Sequence, residues 1–253
     1  MFTDERRQKI LEILERDGSI FVNDLVKTFN VTSATIRKDL NILAQSDLLI
    51  RTHGGAIKNT EKIINESEKA YDIRKSVNIQ NKRIIAKKAL KFITPNDCIL
   101  LDASSTCYEL AHLLSNYSNP LTVLTSGLRT ANLLKENTNL TVVVIGGVVT
   151  ANSNAIEGIL GIDLLKHFNV NTFFTSSYAI SNHDGLSDFK MHETVLKRQM
   201  IQRAARTIAL LDYSKFEKKS IINFASLDDI SLIISDDNLS DEIKNTYSNI
   251  QII

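Results

Sequence analysis

From Pro95 onward, short apolar runs alternate with helical patterns, and this alternation leaves few folds open to the chain. The runs at 98–102, 122–125, 141–145, 172–175, 207–211, 231–235 and 250–253 read as strands, with helical periodicity between most of them. Strand and helix in alternation predict an α/β domain with a mainly parallel sheet, covered by helices on both faces. Ligands of such sheets bind beyond the carboxyl ends of the strands, so the residues just after each run are the ones to inspect. The first run ends in Asp102-Ala103-Ser104-Ser105-Thr106 and opens a helix carrying Leu110, Leu113 and Leu114. Free backbone N–H groups at a helix start, with three hydroxyls beside them, suit a phosphate. The second run ends in Thr125-Ser126-Gly127, the third in Gly146-Gly147, and a later one in Asp212-Tyr213-Ser214-Lys215. Hydroxyls, glycines that admit close backbone approach and an ammonium on one rim point to an anionic, polyhydroxylated ligand.

The head of the chain has a different pattern. Proline and glycine are scarce, two and nine, so the pair Gly54-Gly55 acts as punctuation. Before it, periodicity predicts helices over 4–15 and 24–29, the second capped by Asn23, with Asn30 as a left-handed turn residue. Thr32 is placed to cap a third helix that turns Ile36, Leu40 and Leu43 inward. Residues 48–53 are strand-like and run into the glycine pair. Three helices, a strand and a glycine turn outline a winged helix-turn-helix. On the third helix Ser33, Ala34, Arg37 and Lys38 face away from the apolar stripe. Small residues in its first turn allow close approach to a duplex, and Arg37 offers the fork that matches guanine or phosphate. Arg51, His53 and Lys58 flank the wing.

A formal net charge of +1 argues, at first sight, against a nucleic-acid partner. The total conceals three regions. Residues 1–57 carry eight basic and eight acidic side chains, 58–91 carry ten and four, and 92–253 carry twelve and seventeen. A neutral head, a basic connection and an acidic body sum to nearly nothing. The division of the chain is therefore expected at 1–57, 58–80 (a basic linker) and 81–253, with an amphipathic basic helix over 81–92.

The head motifs are specific. Val31-Thr32-Ser33-Ala34-Thr35-Ile36-Arg37-Lys38-Asp39-Leu40, followed by Arg51-Thr52-His53-Gly54-Gly55-Ala56, closely resembles the N-terminal signature of the DeoR family of bacterial transcriptional regulators. Thr32 stands for Ser and Lys38 for Arg. The body resembles that family's effector domain, which is similar in fold to ribose-5-phosphate isomerase. Residues 102–106 match its D-x-G-[ST]-T loop with Ser104 in place of Gly, and 212–216 also match. Thr125-Ser126-Gly127 stands where T-N-S is usual, and Asn171 where Asp is common. His192-Glu193 through Lys197 fits the acidic start of the helix before the last motif.

The resemblance implies a DNA-binding regulator, a repressor of a carbohydrate operon, whose grip on operator DNA is modulated by a phosphorylated sugar. It implies DNA contacts from Thr32, Ser33, Ala34, Thr35, Arg37, Lys38, Arg51 and His53. The effector set is Asp102, Ser104, Ser105, Thr106, Thr125, Ser126, Gly146, Gly147, Glu193 and Lys215. A single winged helix buries little surface, so a homo-oligomer, dimer or tetramer, is expected.

Rival classes fare worse. An aldose–ketose isomerase needs a carboxylate base, and 174–181 has none. A dinucleotide-binding redox sensor needs G-x-G-x-x-G after a strand, which neither 102–107 nor 146–150 supplies. His53, His112, His167, His183 and His192 do not pair at ligand spacing, so no metal and no cofactor is expected. Cys98 and Cys107 cannot build a disulfide framework, and no apolar stretch suggests a signal peptide or membrane span. A reduced cytoplasmic protein is the expectation.

Overall fold

The computed structural model describes residues 3–17, 19–45, 48–52, 54–58, 74–150 and 153–253. The chain divides into two compact units, Met1–Ile73 and Arg74–Ile253. Residues 74–80, expected in the linker, thus group with the second unit.

In the first unit the helices are α1 (Thr3–Asp17), α2 (Val22–Phe29) and α3 (Ser33–Gln45). The strands are β1 (Ser19–Phe21), β2 (Leu49–Arg51) and β3 (Gly55–Lys58), in the antiparallel order β1-β3-β2. Ile10, Leu14, Leu25, Ile36, Leu40 and Leu43 bury together with Leu49 of the sheet, which is what drives three short helices to persist. Asn30 adopts the left-handed conformation (φ 50, ψ 49), as expected of the turn. The Thr32 hydroxyl accepts from the Thr35 N–H at 3.2 Å and caps α3. Asn23 does not cap α2; the helix begins one residue earlier, and Asn23 lies in its first turn. The glycine pair does not end the sheet either. It opens β3, and a Cβ on Gly55 would stand 1.8 Å from the Ile20 carbonyl, so only glycine lets β1 and β3 approach.

One contact in this unit had no sequence signal. Asp39 points inward from α3, 2% exposed, and meets two side chains of α1. Arg6 Nε donates to its Oδ2 at 2.6 Å, and Arg7 Nε to its Oδ1 at 2.9 Å.

The second unit is built on a six-stranded parallel sheet of order β12-β10-β7-β4-β5-β6. Its strands are β4 (Cys98–Leu101), β5 (Leu121–Thr125), β6 (Leu140–Val144), β7 (Val170–Thr175), β10 (Ala204–Leu210) and β12 (Leu232–Ile234). The pleat divides neighbouring side chains between two cores. Ile99, Leu101 and Phe174 pack under α4 (Ile79–Leu90) and α5 (Ser105–Leu114), with α6 (Leu128–Leu134) beside them. Leu100 and Phe173 pack under Leu196 and Met200 of α7 (Met191–Arg203). Six of the seven strands expected from sequence lie in this sheet. Of the seventh, Ile252 contributes a single parallel bridge to Ile233. Asn171 supplies its side-chain oxygen to the Cys98 N–H at 2.7 Å, an acceptor an Asp would equally provide.

A second, antiparallel sheet of order β11-β9-β8 was not foreseen. It comprises β8 (Ala179–Ser181), β9 (Gly185–Asp188) and β11 (Ile222–Ala225), and it covers a third apolar cluster with Phe216, Phe224 and Tyr247. Gly185 turns the β8–β9 hairpin at φ +68. The last helix is α8 (Asp241–Thr246). Among the described residues no helix is long and apolar enough to cross a membrane.

Removing one partner of a buried ion pair leaves the other charge stranded. Asp39→Ala should therefore destabilise the first unit by about 3 kcal/mol, read as a lowered urea midpoint for the transition of that unit.

Candidate functional site

The inward turn of Asp39 determines what α3 presents outward. Ser33, Ala34, Arg37, Lys38 and Asn41 are exposed, while Ile36, Asp39 and Leu40 are buried. Among the described residues, Arg37 and Lys38 have no ion-pair or hydrogen-bond partner. With Asp39 spent on Arg6 and Arg7, the face carries positive charge alone. Three of the expected DNA-contact residues, Thr32, Thr35 and Arg51, make bonds within the unit. Thr32 caps α3, its hydroxyl 2.9 Å from that of Thr35. Arg51 folds back to donate to the Gly55 carbonyl at 2.6 Å, bracing the turn of the wing. His53 lies outside the described residues.

In the second unit the strand-end loops are organised by a buried cation. Lys197 of α7, 2% exposed, lies 3.0 Å from Asp188, 3.4 Å from Asp102 and 3.7 Å from Glu193, and donates to the Ser176 carbonyl at 2.9 Å. Burial alone would lower its pKa, but the carboxylates of Asp188, Asp102 and Glu193 hold it above the ordinary lysine value. Asp102 is the counterpart. Its Oδ1 accepts from the Ser104 N–H at 2.9 Å; its Oδ2 accepts from the Thr175 hydroxyl at 2.8 Å and the Ser176 N–H at 2.9 Å. Burial pushes its pKa up, yet Lys197 and the bonds from Ser104 and Ser176 bring it below the usual carboxylate range. At 1% exposure, Asp102 is therefore a positioning residue beneath the loop. Glu193 is raised by burial and by Asp188, against the pull of Lys197. The carboxylates here converge on one ammonium.

A second cationic group gathers where β10 ends. Asp212 accepts from the Ser214 N–H at 3.1 Å and from the Asn78 amide at 3.0 Å. Around it stand Lys215, Lys82 and Arg74, each close enough to perturb another's charge. Burial lowers the pKa of Lys215, Arg74 lowers it further, and Asp212 only partly compensates. Burial brings Lys82 down to about 7, against Asp212 and Glu109, with Lys215 and Arg74 acting in the same sense as burial. The Lys215 ammonium stands over the face of Tyr178 at 5.3 Å, and the Arg74 guanidinium over that of Phe189 at 5.7 Å. Cations gathered in this way favour an incoming anion.

The remaining expected residues fall into two groups. Ser104 and Ser105 open α5 close to this cluster: the Ser104 hydroxyl accepts from the Cys107 N–H at 3.2 Å, and Ser105 Oγ donates to the Arg74 carbonyl at 3.4 Å. Thr106 is buried in the first turn of α5, and Thr125 Oγ1 accepts from the Gly127 N–H at 3.0 Å. Ser126 is buried, its carbonyl accepting from the Ile156 N–H at 2.8 Å. Gly146 and Gly147 are differently employed. A Cβ on Gly147 would stand 2.7 Å from the Glu157 carbonyl, and Gly146 backs onto Gly161. The chain itself fills the space these glycines leave. Sequence reasoning missed Arg74, Asn78 and Lys82, and gave Lys197 no binding role. A signal did exist: Lys82 keeps the helical spacing of the buried Ile85, Ala86 and Ala89, and Lys197 that of Met200.

A winged helix-turn-helix joined to an α/β unit with an anion-seeking rim defines a ligand-responsive DNA-binding regulator. The comparisons agree. The model of the DeoR-like helix-turn-helix domain matches residues 6–62, and that of the DeoR C terminal sensor domain matches 77–237. The HTH-type transcriptional regulator GolR of Listeria innocua is 39% identical over 242 residues, covering 95% of this chain and 93% of that protein. The L-fucose operon activator of Haemophilus influenzae is 36% identical over 94% of each. The glycerol-3-phosphate regulon repressor of Escherichia coli is 28% identical, over 92% of this chain and 90% of that one. The chain belongs to the DeoR family of transcriptional regulators.

The acid–base state of Lys82 predicts a pH dependence for anion binding. Sulfate keeps its charge between pH 6 and 9, whereas Lys82 loses its proton above about 7. An anion favours the protonated form, so its binding takes up a proton and weakens as pH rises. Sulfate affinity, followed by thermal shift, should fall by up to about tenfold between pH 7 and 8, and Lys82→Met should flatten that slope.

Proposed function

We propose that this regulator represses a carbohydrate operon and that a phosphorylated sugar, bound at the strand ends of the second unit, changes its affinity for operator DNA. The relatives include both an operon activator and a regulon repressor, each named for a carbohydrate or its phosphate. The observation that carries the ligand class is the cluster of Arg74, Lys82 and Lys215 with Asp212 as its buried acid. A phosphate would sit against these cations and the first turn of α5. Sugar hydroxyls would meet Ser104, Ser126 and the carboxylates around Lys197.

On the first unit, α3 enters the major groove with Ser33, Ala34, Arg37 and Lys38 toward base edges and phosphates. Thr32 and Thr35 hold its first turn in shape, and Arg51 sets the wing. Two copies of the chain, or two pairs, would read repeated half-sites.

Two substitutions separate the roles. Arg37→Ala should leave the melting temperature unchanged and weaken binding to a duplex selected by the protein from a random pool by about 10- to 100-fold. Unchanged affinity would remove α3 from the interface. Lys215→Ala should fold and bind that duplex, yet show no thermal shift with the sugar phosphates that stabilise the parent chain. A retained shift would make Lys215 structural.

A further inference from the structure

The chain enters the second unit through residues 74–78, and this segment is fastened to the ligand rim. Lys82 Nζ donates to the Val77 carbonyl at 2.7 Å and to the Arg74 carbonyl. Ser105 Oγ donates to the same Arg74 carbonyl at 3.4 Å. Asn78, 8% exposed, holds the left-handed conformation (φ 53, ψ 32). Its amide donates to Asp212 Oδ1 at 3.0 Å and to Ser214 Oγ at 3.2 Å. Of these partners, Ser105 opens α5 after β4, and Asp212 and Ser214 follow β10. Lys82 is itself one of the clustered cations.

We propose that residues 74–78 are the output element of the sensor unit, a latch that an anion loosens by taking the donors of Lys82 and Ser105. The proposal rests on the reading of the rim as an anion site. The donor count makes the competition concrete. A Lys82 ammonium has three N–H bonds, of which the Arg74 and Val77 carbonyls take two. The Ser105 hydroxyl has one proton, which it gives to the Arg74 carbonyl. A phosphate at the cluster is a stronger acceptor than a neutral carbonyl, because bonds to an ionised oxygen are shorter and stronger. When it takes the Ser105 proton and draws the ammonium over by its third N–H, the hold on the Arg74 carbonyl weakens. The Asn78 amide on Asp212 and Ser214 and the ring contacts of Arg74 with Phe189 and of Lys75 with Tyr108 are not called on by the anion. Residue 74 is joined through 59–73 to the DNA-binding unit, so a change in how this segment is held is a change at the point where the two units are covalently linked.

Hydrogen exchange on the full chain, with inorganic phosphate as the probe, tests this. At phosphate concentrations that saturate the thermal shift, amides of residues 75–79 should exchange at least about threefold faster, while those of β4 stay unchanged. Asn78→Ala should exchange faster over this segment without phosphate and respond little to it. Phosphate that raises the melting temperature but leaves 75–79 unaltered would overturn the latch and spare the anion site. Absence of any thermal shift would overturn the anion site and the latch with it. The parent-chain measurement decides the matter even if the variant does not fold.

Discussion

The Lys197 ammonium is the constraint on which the strand-end rim of the second unit is built. An unpaired cation cannot be buried, and this one is 2% exposed. It is tolerable only because Asp102 comes to it from the end of β4, Asp188 from β9 and Glu193 from its own helix. The consequence is architectural. Three separate stretches of chain are fixed against one another, and Asp102, so anchored, sets the backbone of the loop that opens α5. The second sheet has its place for the same reason, since β9 ends on a carboxylate that Lys197 requires.

Charge then divides the rim in two. Around Lys197 acid exceeds base, and around Asp212 base exceeds acid. A ligand with an anion at one end and hydroxyls at the other has a defined direction in such a field.

The parallel sheet was legible because its strands are apolar on both faces and separated by helical periodicity. The winged head was legible from Asn30, Thr32 and the stripe Ile36/Leu40/Leu43. What stayed hidden shares a physical cause. β8, β9 and β11 are three or four residues long, with Ser181, Ser187 and Asp188 among them, too short and too polar for a period to emerge. Asp39 reads as one more surface acid beside Arg37 and Lys38 until its partners, 32 and 33 residues away in sequence, are brought to it. Lys82 and Lys197 count as solvated charge in any tally, although their helical spacing aligns them with buried neighbours. Gly146 and Gly147 read from sequence as an opening for a ligand, and in the fold the chain's own 156–161 segment lies against them. Long-range pairing of polar groups leaves no local periodicity to read.

Asp39 also separates two kinds of freedom in α3. Arg37 and Lys38 are its immediate neighbours in sequence, yet they face solvent while it faces the core. The helix's attachment to its own unit runs through 36, 39 and 40, and its outward chemistry through 33, 34, 37, 38 and 41. Those two sets do not overlap. With α3 as the proposed reader of the duplex, a lineage could rewrite which operator it prefers, one outward side chain at a time, without passing through an unfolded intermediate. The inner set acts as a fixed mount, and the outer set as an interchangeable reading head.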